Sequence, residues 1–154
     1  MSDPVLLITG ASSGIGAATA RMAVARGWRV GLFARREDRL RALVGELGAD
    51  HALSLPGDVT QLADQQAALK RMTDAFGPLH AAFANAGRGL DAAGTEGGDV
   101  DEWQDMIRIN ILGLLFGLLG LAVTLATTSG IIGFVLDRLI AGLGKAVTRG
   151  TAAN

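Results

Sequence analysis

Three glycines follow an apolar run near the start of the chain, within the stretch TGASSGIG at residues 9–16. The apolar run at residues 5–8 predicts a buried strand, and residues 17–25 predict a helix. A strand, a glycine turn and a helix would bring unpaired backbone N–H groups and a helix N-terminus to one point, which favours a bound pyrophosphate. We therefore expect this stretch to bind an anion, with these candidate contacts: Gly10, Ser12, Ser13, Gly14, Ile15 and Gly16.

Each glycine of this stretch has its own steric reason. We expect Gly10 to permit the tight turn, Gly14 to let a phosphate approach bare backbone, and Gly16 to let the helix pack closely on the strand. An ordinary strand-to-helix turn would also collect glycine, so the stretch alone leaves that alternative open.

The composition narrows the class of protein. The 154 residues are 49% hydrophobic and 19% charged with a formal net charge of −1, which predicts a single domain over 1–154 and gives no electrostatic case for nucleic acid. There is no cysteine, and His51 and His80 stand apart from other potential ligands, so no metal site is expected. The N-terminal residues lack the basic and apolar regions of a signal peptide, which favours a cytoplasmic protein.

Strands and helices are predicted to alternate along the chain. Further strands are expected at residues 28–33, 52–55 and 79–84, and further helices at residues 37–47, 61–76 and 99–109, with Thr60 as the N-cap of the helix at 61–76. Such alternation predicts a parallel sheet, with a glycine- and alanine-rich loop at residues 87–98.

The stretch from residue 111 to residue 136 contains no charged side chain. It predicts either a buried helix, a turn at residues 127–130 and a buried strand, or a membrane span in which Gly113 and Gly117 form a small-xxx-small pair. A terminal helix is expected at residues 137–149. The polar turn favours the buried alternative.

Four motifs occur together in one order, and they resemble those of the short-chain dehydrogenase/reductase family of NAD(P)-dependent oxidoreductases. The resemblance covers about residues 4–117 and implies a Rossmann-type doubly wound parallel sheet with helices on both faces. It implies a fold that is incomplete at its C-terminal side, with residues 118–154 divergent. The motifs are Thr9-Gly10-xxx-Gly14-x-Gly16, Asp58-Val59, Asn85-Ala86-Gly87, and Trp103 followed by Asn110 and Gly113.

The resemblance assigns cofactor contacts at the ends of two further strands. It implies that Asp58 hydrogen-bonds the adenine amino group and that Val59 lies beside the ring. Asn85, Ala86 and Gly87 would end the fourth strand next to the cofactor. Turn residues at strand ends are the alternative explanation of both motifs.

The end of the second strand indicates which dinucleotide is preferred. An NAD site usually has an acidic residue there for the ribose 2′-hydroxyl, whereas this chain has Arg35 and Arg36. A guanidinium grips a 2′-phosphate with a planar fork, so NADP(H) is favoured, with Arg35 as the main contact and NAD(H) as the alternative. The arginines could instead belong to a solvated charge cluster that includes Glu37 and Asp38.

The catalytic residues are assigned by resemblance alone. The family uses a Tyr-xxx-Lys pair, a serine and an asparagine, which would correspond here to Ala141 and Lys145, to Thr128 or Ser129, and to Asn110. The chain contains no tyrosine. Because a positioned general acid contributes roughly 10²–10⁴-fold, reduction of a carbonyl should be badly impaired.

Three functional hypotheses follow. The first is an NADP(H)-dependent oxidoreductase that acts on an alcohol or carbonyl small molecule. The second is a truncated or divergent module that binds the dinucleotide without turnover, and the third is a membrane-associated protein through residues 111–136. Apolar helices after Asn110 would favour a homo-oligomer.

Overall fold

The computed structural model describes residues 3–89 and 100–112. Four strands form one parallel sheet in the order β3-β2-β1-β4, and helices connect them. This order confirms the Rossmann-type α/β fold that the motifs implied. The elements are β1 (Val5–Thr9), α1 (Gly14–Val24), β2 (Arg29–Ala34), α2 (Glu37–Leu47), β3 (Ala52–Pro56), α3 (Leu62–Phe76), β4 (Ala81–Phe83), α4 (Val100–Ile107) and a π-helical turn (Arg108–Leu112).

Apolar side chains cover both faces of the sheet, because successive residues of a strand point to opposite faces. On one face, Ile8 and Leu32 belong to the core formed with α1 and α2. On the other face, Leu7 and Phe33 belong to the core formed with α3. Burial on both faces explains why β1 and β2 are almost continuously apolar in sequence.

Most boundaries follow the sequence pattern, and α2 has the predicted bounds. Helix α1 begins earlier than expected, at Gly14, because the glycine stretch itself supplies the first helical turn. Strand β4 is shorter than expected and is confined to Ala81–Phe83.

The prediction that Thr60 caps α3 is wrong. Helix α3 begins at Leu62 with Gln61 at the N-cap position, and no side-chain capping bond forms there within the described residues. Thr60 instead donates its N–H and its hydroxyl to Oδ1 of Asp58, at 2.8 and 2.9 Å. Short polar side chains form such local turns in competition with helix caps, and here the local turn is formed.

The helix expected at residues 99–109 divides into two parts. An α-helix covers Val100–Ile107, and a π-helical turn covers Arg108–Leu112 and contains Asn110. Single π-helical turns are frequent at functional sites.

Two further expectations concern membranes and metals. Over residues 3–89 and 100–112, no helix is long and apolar enough to cross a membrane, while most of the uncharged stretch at 111–136 lies outside those ranges. In the same ranges no three His, Asp or Glu side chains are grouped to hold a metal ion. His80 accepts a hydrogen bond from Val5 N–H at its Nδ1, at 3.1 Å.

Candidate functional site

A cleft of about 390 Å³ opens at the carboxyl edge of the sheet. Because all four strands are parallel, the segments that follow them meet at this edge, where open α/β sheets bind their ligands. Its lining comes from the segment after every strand and from the π-helical turn: Gly10, Ser12, Ser13, Ala34, Arg35, Arg36, Gly57, Asp58, Val59, Asn85, Ala86, Gly87, Arg88 and Ile109. The structure thus brings together sequence-selected residues of four separate segments, while Gly14, Ile15 and Gly16 lie outside this lining at the start of α1.

The glycine turn is crowded on its inner side and open on its outer side. Gly10 has φ +67°, and a Cβ at Gly10 would lie 2.9 Å from Cα of Ala86. A Cβ at Gly16 would lie 2.8 Å from Nδ2 of Asn85, so α1 approaches the loop after β4 too closely for a side chain. Gly14 has φ +55°, and a Cβ at Gly14 would meet no atom within 4 Å. The backbone of Gly14 is therefore open to a ligand.

The N-terminus of α1 provides hydrogen-bond donors at the same place. The amides of Gly14, Ile15 and Gly16 have no intrahelical partner, and within the described ranges they make no hydrogen bond to other protein groups. Ser13 occupies the N-cap position without a side-chain capping bond in the same part of the chain, and the first turn holds no acidic residue. Free amides and the positive end of the helix dipole favour an anion here.

A hydrogen-bonded lock joins the end of β1 to the segment after β4. The hydroxyl oxygen of Thr9 accepts hydrogen bonds from the amides of Asn85 and Ala86, both at 3.0 Å. Nδ2 of Asn85 donates to the carbonyl of Thr9 at 3.1 Å. Thr9 is only 5% exposed, so these groups have little access to water. Sequence reasoning gave Thr9 no role beyond the motif, although a threonine that ends a buried strand is a signal for such a lock.

The two arginines after β2 differ in their contacts. Arg36 donates through Nη2 to the hydroxyls of Ser12 and Ser13, at 2.9 and 2.7 Å, and through Nε to Ser12 at 3.2 Å. Arg35 lines the cleft, is exposed, and makes no hydrogen bond or ion pair within residues 3–89 and 100–112. The Arg36 guanidinium therefore lies against the serines of the glycine turn, while Arg35 lines the same cleft. The sequence ranked Arg35 first as a phosphate contact, and that ranking stays a prediction.

The segment after β3 carries Asp58 and Val59 into the cleft. Oδ1 of Asp58 accepts hydrogen bonds from the N–H and the hydroxyl of Thr60. The backbone of the segment is bound from α3, because Asp58 N–H donates to Oδ2 of Asp64 at 2.9 Å and Nε2 of Gln65 donates to the carbonyl of Val59 at 2.6 Å. Sequence reasoning missed Asp64 and Gln65, since their position in the first turn of α3 suggested only a helix start.

Asn110 holds the segment that follows Gly87. Its Oδ1 accepts a hydrogen bond from Arg88 N–H at 2.9 Å, and its Nδ2 donates to the carbonyl of Arg88 at 3.1 Å. The Arg88 side chain pairs with Glu102 of α4 at 3.1 Å. Arg88 was also missed by sequence reasoning, although it directly follows the Asn85-Ala86-Gly87 motif.

The remaining catalytic assignments lie outside the described residues. These are Thr128, Ser129 and Lys145, together with Ala141, which the resemblance assigned to the position of the family's tyrosine. Of the four assigned catalytic residues, Asn110 alone falls within the described ranges, and it lies next to the cleft beside Ile109.

Comparison with known proteins agrees with this geometry. The family model described as short chain dehydrogenase matches residues 4–135. The chain is 41% identical over 111 residues to a serine 3-dehydrogenase of Agrobacterium fabrum. This match covers 71% of this chain and 44% of the relative. It therefore spans about half the length of the curated relatives that it matches.

Two solved structures are similar over most of the chain. A 3-ketoacyl-(acyl-carrier-protein) reductase from Brucella melitensis, complexed with NADH, has a TM-score of 0.75 at 28% identity, covering 80% of this chain and 50% of that one. An alcohol dehydrogenase from Thermococcus sibiricus, complexed with 5-hydroxy-NADP, has a TM-score of 0.73 at 32% identity, covering 81% and 54%. The chain belongs to the short-chain dehydrogenase/reductase family of NAD(P)-dependent oxidoreductases.

Proposed function

We propose that this protein binds NADP(H) in the cleft and acts as an oxidoreductase on an alcohol or carbonyl substrate. The observation that carries the cofactor choice is the pair of arginines that follow β2 and line the cleft, of which Arg36 contacts Ser12 and Ser13. The ribose 2′ position lies at this strand end in dinucleotide-binding folds. Two cations there favour a 2′-phosphate. The first acidic residue after β2 is Glu37, which belongs to α2 and pairs with Arg41.

The N-terminus of α1 and other residues of the cleft fit the remaining parts of the dinucleotide. Free amides at Gly14, Ile15 and Gly16 suit the pyrophosphate, and the open backbone of Gly14 allows close approach. Asp58 and Val59 suit the adenine. When bound, NADP(H) supplies hydride transfer, and the chain's own residues bind and orient it.

The substrate class is carried over from relatives. Those relatives are named as dehydrogenases of serine and of alcohols and as a reductase of a 3-ketoacyl group. All of these names describe interconversion of an alcohol and a carbonyl. The cytoplasmic location, the single domain over 1–154 and the homo-oligomer stay predictions.

A cofactor-binding module without turnover is the second candidate. The observation that favours it is the absence of tyrosine from the chain, with Ala141 at the corresponding position. Roles for Lys145, Thr128 and Ser129 in substrate chemistry also remain proposals, because they rest on the family resemblance alone.

Fluorescence titration with NADPH and NADH tests the cofactor assignment. We expect wild-type protein to bind NADPH more tightly, and Arg35→Asp or Arg36→Asp to weaken NADPH by about 10–100-fold, as loss of charge-assisted hydrogen bonds implies. NADH binding should be retained. Arg39→Asp is the matched control, because Arg39 is an exposed arginine of α2 outside the cleft lining.

Two binding outcomes would overturn the cofactor assignment, and a turnover assay separates the two candidates. No binding of either dinucleotide would reject both, and an unchanged NADPH/NADH ratio in the Arg35 and Arg36 variants would reject the NADP(H) assignment. Oxidation of NADPH with a panel of aldehydes and ketones distinguishes an enzyme from a binding module, since the module binds but shows no turnover.

A further inference from the structure

Two side chains in the first turn of α3 hold the backbone of the Asp58-Val59 segment. Oδ2 of Asp64 accepts the Asp58 N–H at 2.9 Å, and Nε2 of Gln65 donates to the Val59 carbonyl at 2.6 Å. Both bonds connect residues six positions apart in sequence. They therefore tie a loop to a helix, in addition to any bonds within the helix itself.

The side chain of Gln65 is more deeply buried than glutamine side chains usually are. It is 9% exposed, and glutamine is mostly found at the surface. A buried amide costs free energy unless it is hydrogen-bonded, and here it satisfies the carbonyl of a residue that lines the cleft. The hydrogen bond from buried Gln65 thus holds the backbone of Val59 against the first turn of α3.

Asp64 has an unusual partner for its helical position. An acidic side chain at the third helical residue commonly bonds back to the N-cap amide, which here belongs to Gln61. Asp64 instead reaches past Gln61 to the amide of Asp58. It also packs against the turn, because a Cβ at Gly57 would lie 3.0 Å from Cβ of Asp64 and 2.7 Å from the Phe33 ring.

The Asp58 side chain is oriented by these contacts together with Thr60. Its Oδ1 accepts both the N–H and the hydroxyl of Thr60. Its Oδ2 makes no hydrogen bond within the described ranges, and Asp58 lines the cleft. One carboxylate oxygen is thus fixed by the protein, while the other remains for a ligand donor.

We propose that Asp64 and Gln65 are positioning residues for adenine recognition, which rests on the proposed function. They act through the backbone of Asp58 and Val59 and so set where the second carboxylate oxygen of Asp58 meets the 6-amino group of adenine. Without them Thr60 would still bind the first carboxylate oxygen of Asp58, but the backbone that carries this side chain would no longer be held against α3.

The test compares NADPH with its hypoxanthine analogue, in which a carbonyl oxygen replaces the 6-amino group. Wild-type full-length protein should prefer NADPH by about tenfold, the value of one hydrogen bond to a charged group, and Asp58→Ala should abolish the preference. Asp64→Ala and Gln65→Met should reduce it to about twofold. Asp64→Asn keeps an acceptor oxygen and should restore the preference.

Asp74→Ala is the matched control, because Asp74 lies on α3 and pairs with Lys70 at the exposed surface. A loss of stability alone would weaken both dinucleotides equally, so the preference ratio separates positioning from a merely structural role. Gln65→Met provides the same test if Asp64→Ala does not fold.

Three outcomes count against the proposals. A preference in Asp64→Ala and Gln65→Met equal to wild type overturns this inference and leaves the proposed function standing. Wild-type binding without discrimination overturns the role of Asp58 and this inference with it. Wild-type protein that binds neither dinucleotide overturns the proposed function.

Discussion

The amide side chain of Asn110 is hydrogen-bonded in both directions to the backbone of Arg88. Oδ1 accepts the Arg88 N–H at 2.9 Å, and Nδ2 donates to the Arg88 carbonyl at 3.1 Å. This pairing fixes the π-helical turn against the loop that follows β4. The side chain of Asn110 therefore binds the backbone of a residue that lines the cleft, and each of its two polar atoms has a protein partner.

Substitution of Asn110 should loosen this loop. Asn110→Ala removes two hydrogen bonds and should lower the free energy of unfolding by about 1–2 kcal/mol, since exposed bonds contribute modestly. Asn110→Asp keeps the acceptor but places a carboxylate oxygen against the Arg88 carbonyl, so it should not rescue the loss. Denaturant unfolding and amide exchange at Arg88 measure both effects, with exposed Gln104→Ala as the control on α4. Equal exchange at Arg88 in all variants would contradict the pairing.

The Thr9 hydroxyl should contribute more to stability than a surface hydroxyl would. Thr9→Val keeps the shape but leaves the amides of Asn85 and Ala86 without their acceptor. Each unsatisfied, poorly hydrated donor costs about 1–3 kcal/mol, so we expect a loss of about 2–5 kcal/mol.

Thr9→Ser retains the oxygen and should lose less than half as much as Thr9→Val. Urea unfolding compares the three proteins. If Thr9→Val and Thr9→Ser were equally stable, the double acceptor would not be important for the fold.

Gly14 should matter for binding more than for folding. Its φ of +55° costs an alanine about 1–2 kcal/mol, but no neighbour lies within 4 Å of the new Cβ. Gly27, just beyond the other end of α1, has φ +80° and equally open surroundings, which makes Gly27→Ala the matched control for backbone strain.

We expect the two alanine variants to unfold at similar denaturant concentrations. Gly14→Ala alone should weaken NADPH binding, by about tenfold or more, because its methyl group covers the backbone that a phosphate must approach. Equal affinities in the two variants would show that Gly14 is only a turn residue.

Local signals in the sequence were sufficient for the scaffold. Periodicity gave the elements, and the glycine spacing marked the turn, because both depend on residues close together in sequence. The crowding at Gly10 and Gly16 also involves Asn85, which is distant in sequence. The tie between Thr9 and Asn85 spans 76 positions, and the bonds of Arg36 to Ser12 span 24. Such contacts depend on how strands pair, which no local pattern contains.

The same cause lies behind one wrong prediction, one ranking that stays a prediction and one residue that was missed. Thr60 fits the N-cap pattern, yet its hydroxyl bonds to the nearby carboxylate of Asp58 instead of capping α3. The choice between Arg35 and Arg36 depends on which side chain faces the serines of another loop, and adjacent arginines look alike in sequence. Gln65 is buried because the turn after β3 lies against it, although its residue type predicts exposure.

The last prediction concerns the ion pair between α1 and α2. Arg21 donates to both carboxylate oxygens of Glu46, at 2.6 and 2.8 Å, and both side chains are 50% exposed. The hydrogen bond from Arg21 lowers the pKa of Glu46, and the hydrogen bond to Glu46 raises the pKa of Arg21. This bidentate pair joins two helices that pack on the same face of the sheet.

The lowered pKa of Glu46 fixes the sign of the pH dependence. A carboxyl group whose pKa is lower in the folded state contributes stability above its unfolded pKa, and that contribution is lost as the pH falls through the folded value. Glu46→Gln should therefore unfold at a lower temperature than wild type near neutral pH, and the difference should shrink in acid. It should also shrink in 1 M salt, which screens exposed charges. Asp50→Asn controls for removal of a surface carboxylate that forms no ion pair within the described residues, and a Glu46→Gln difference that stays constant from neutral to acid pH would contradict the pairing.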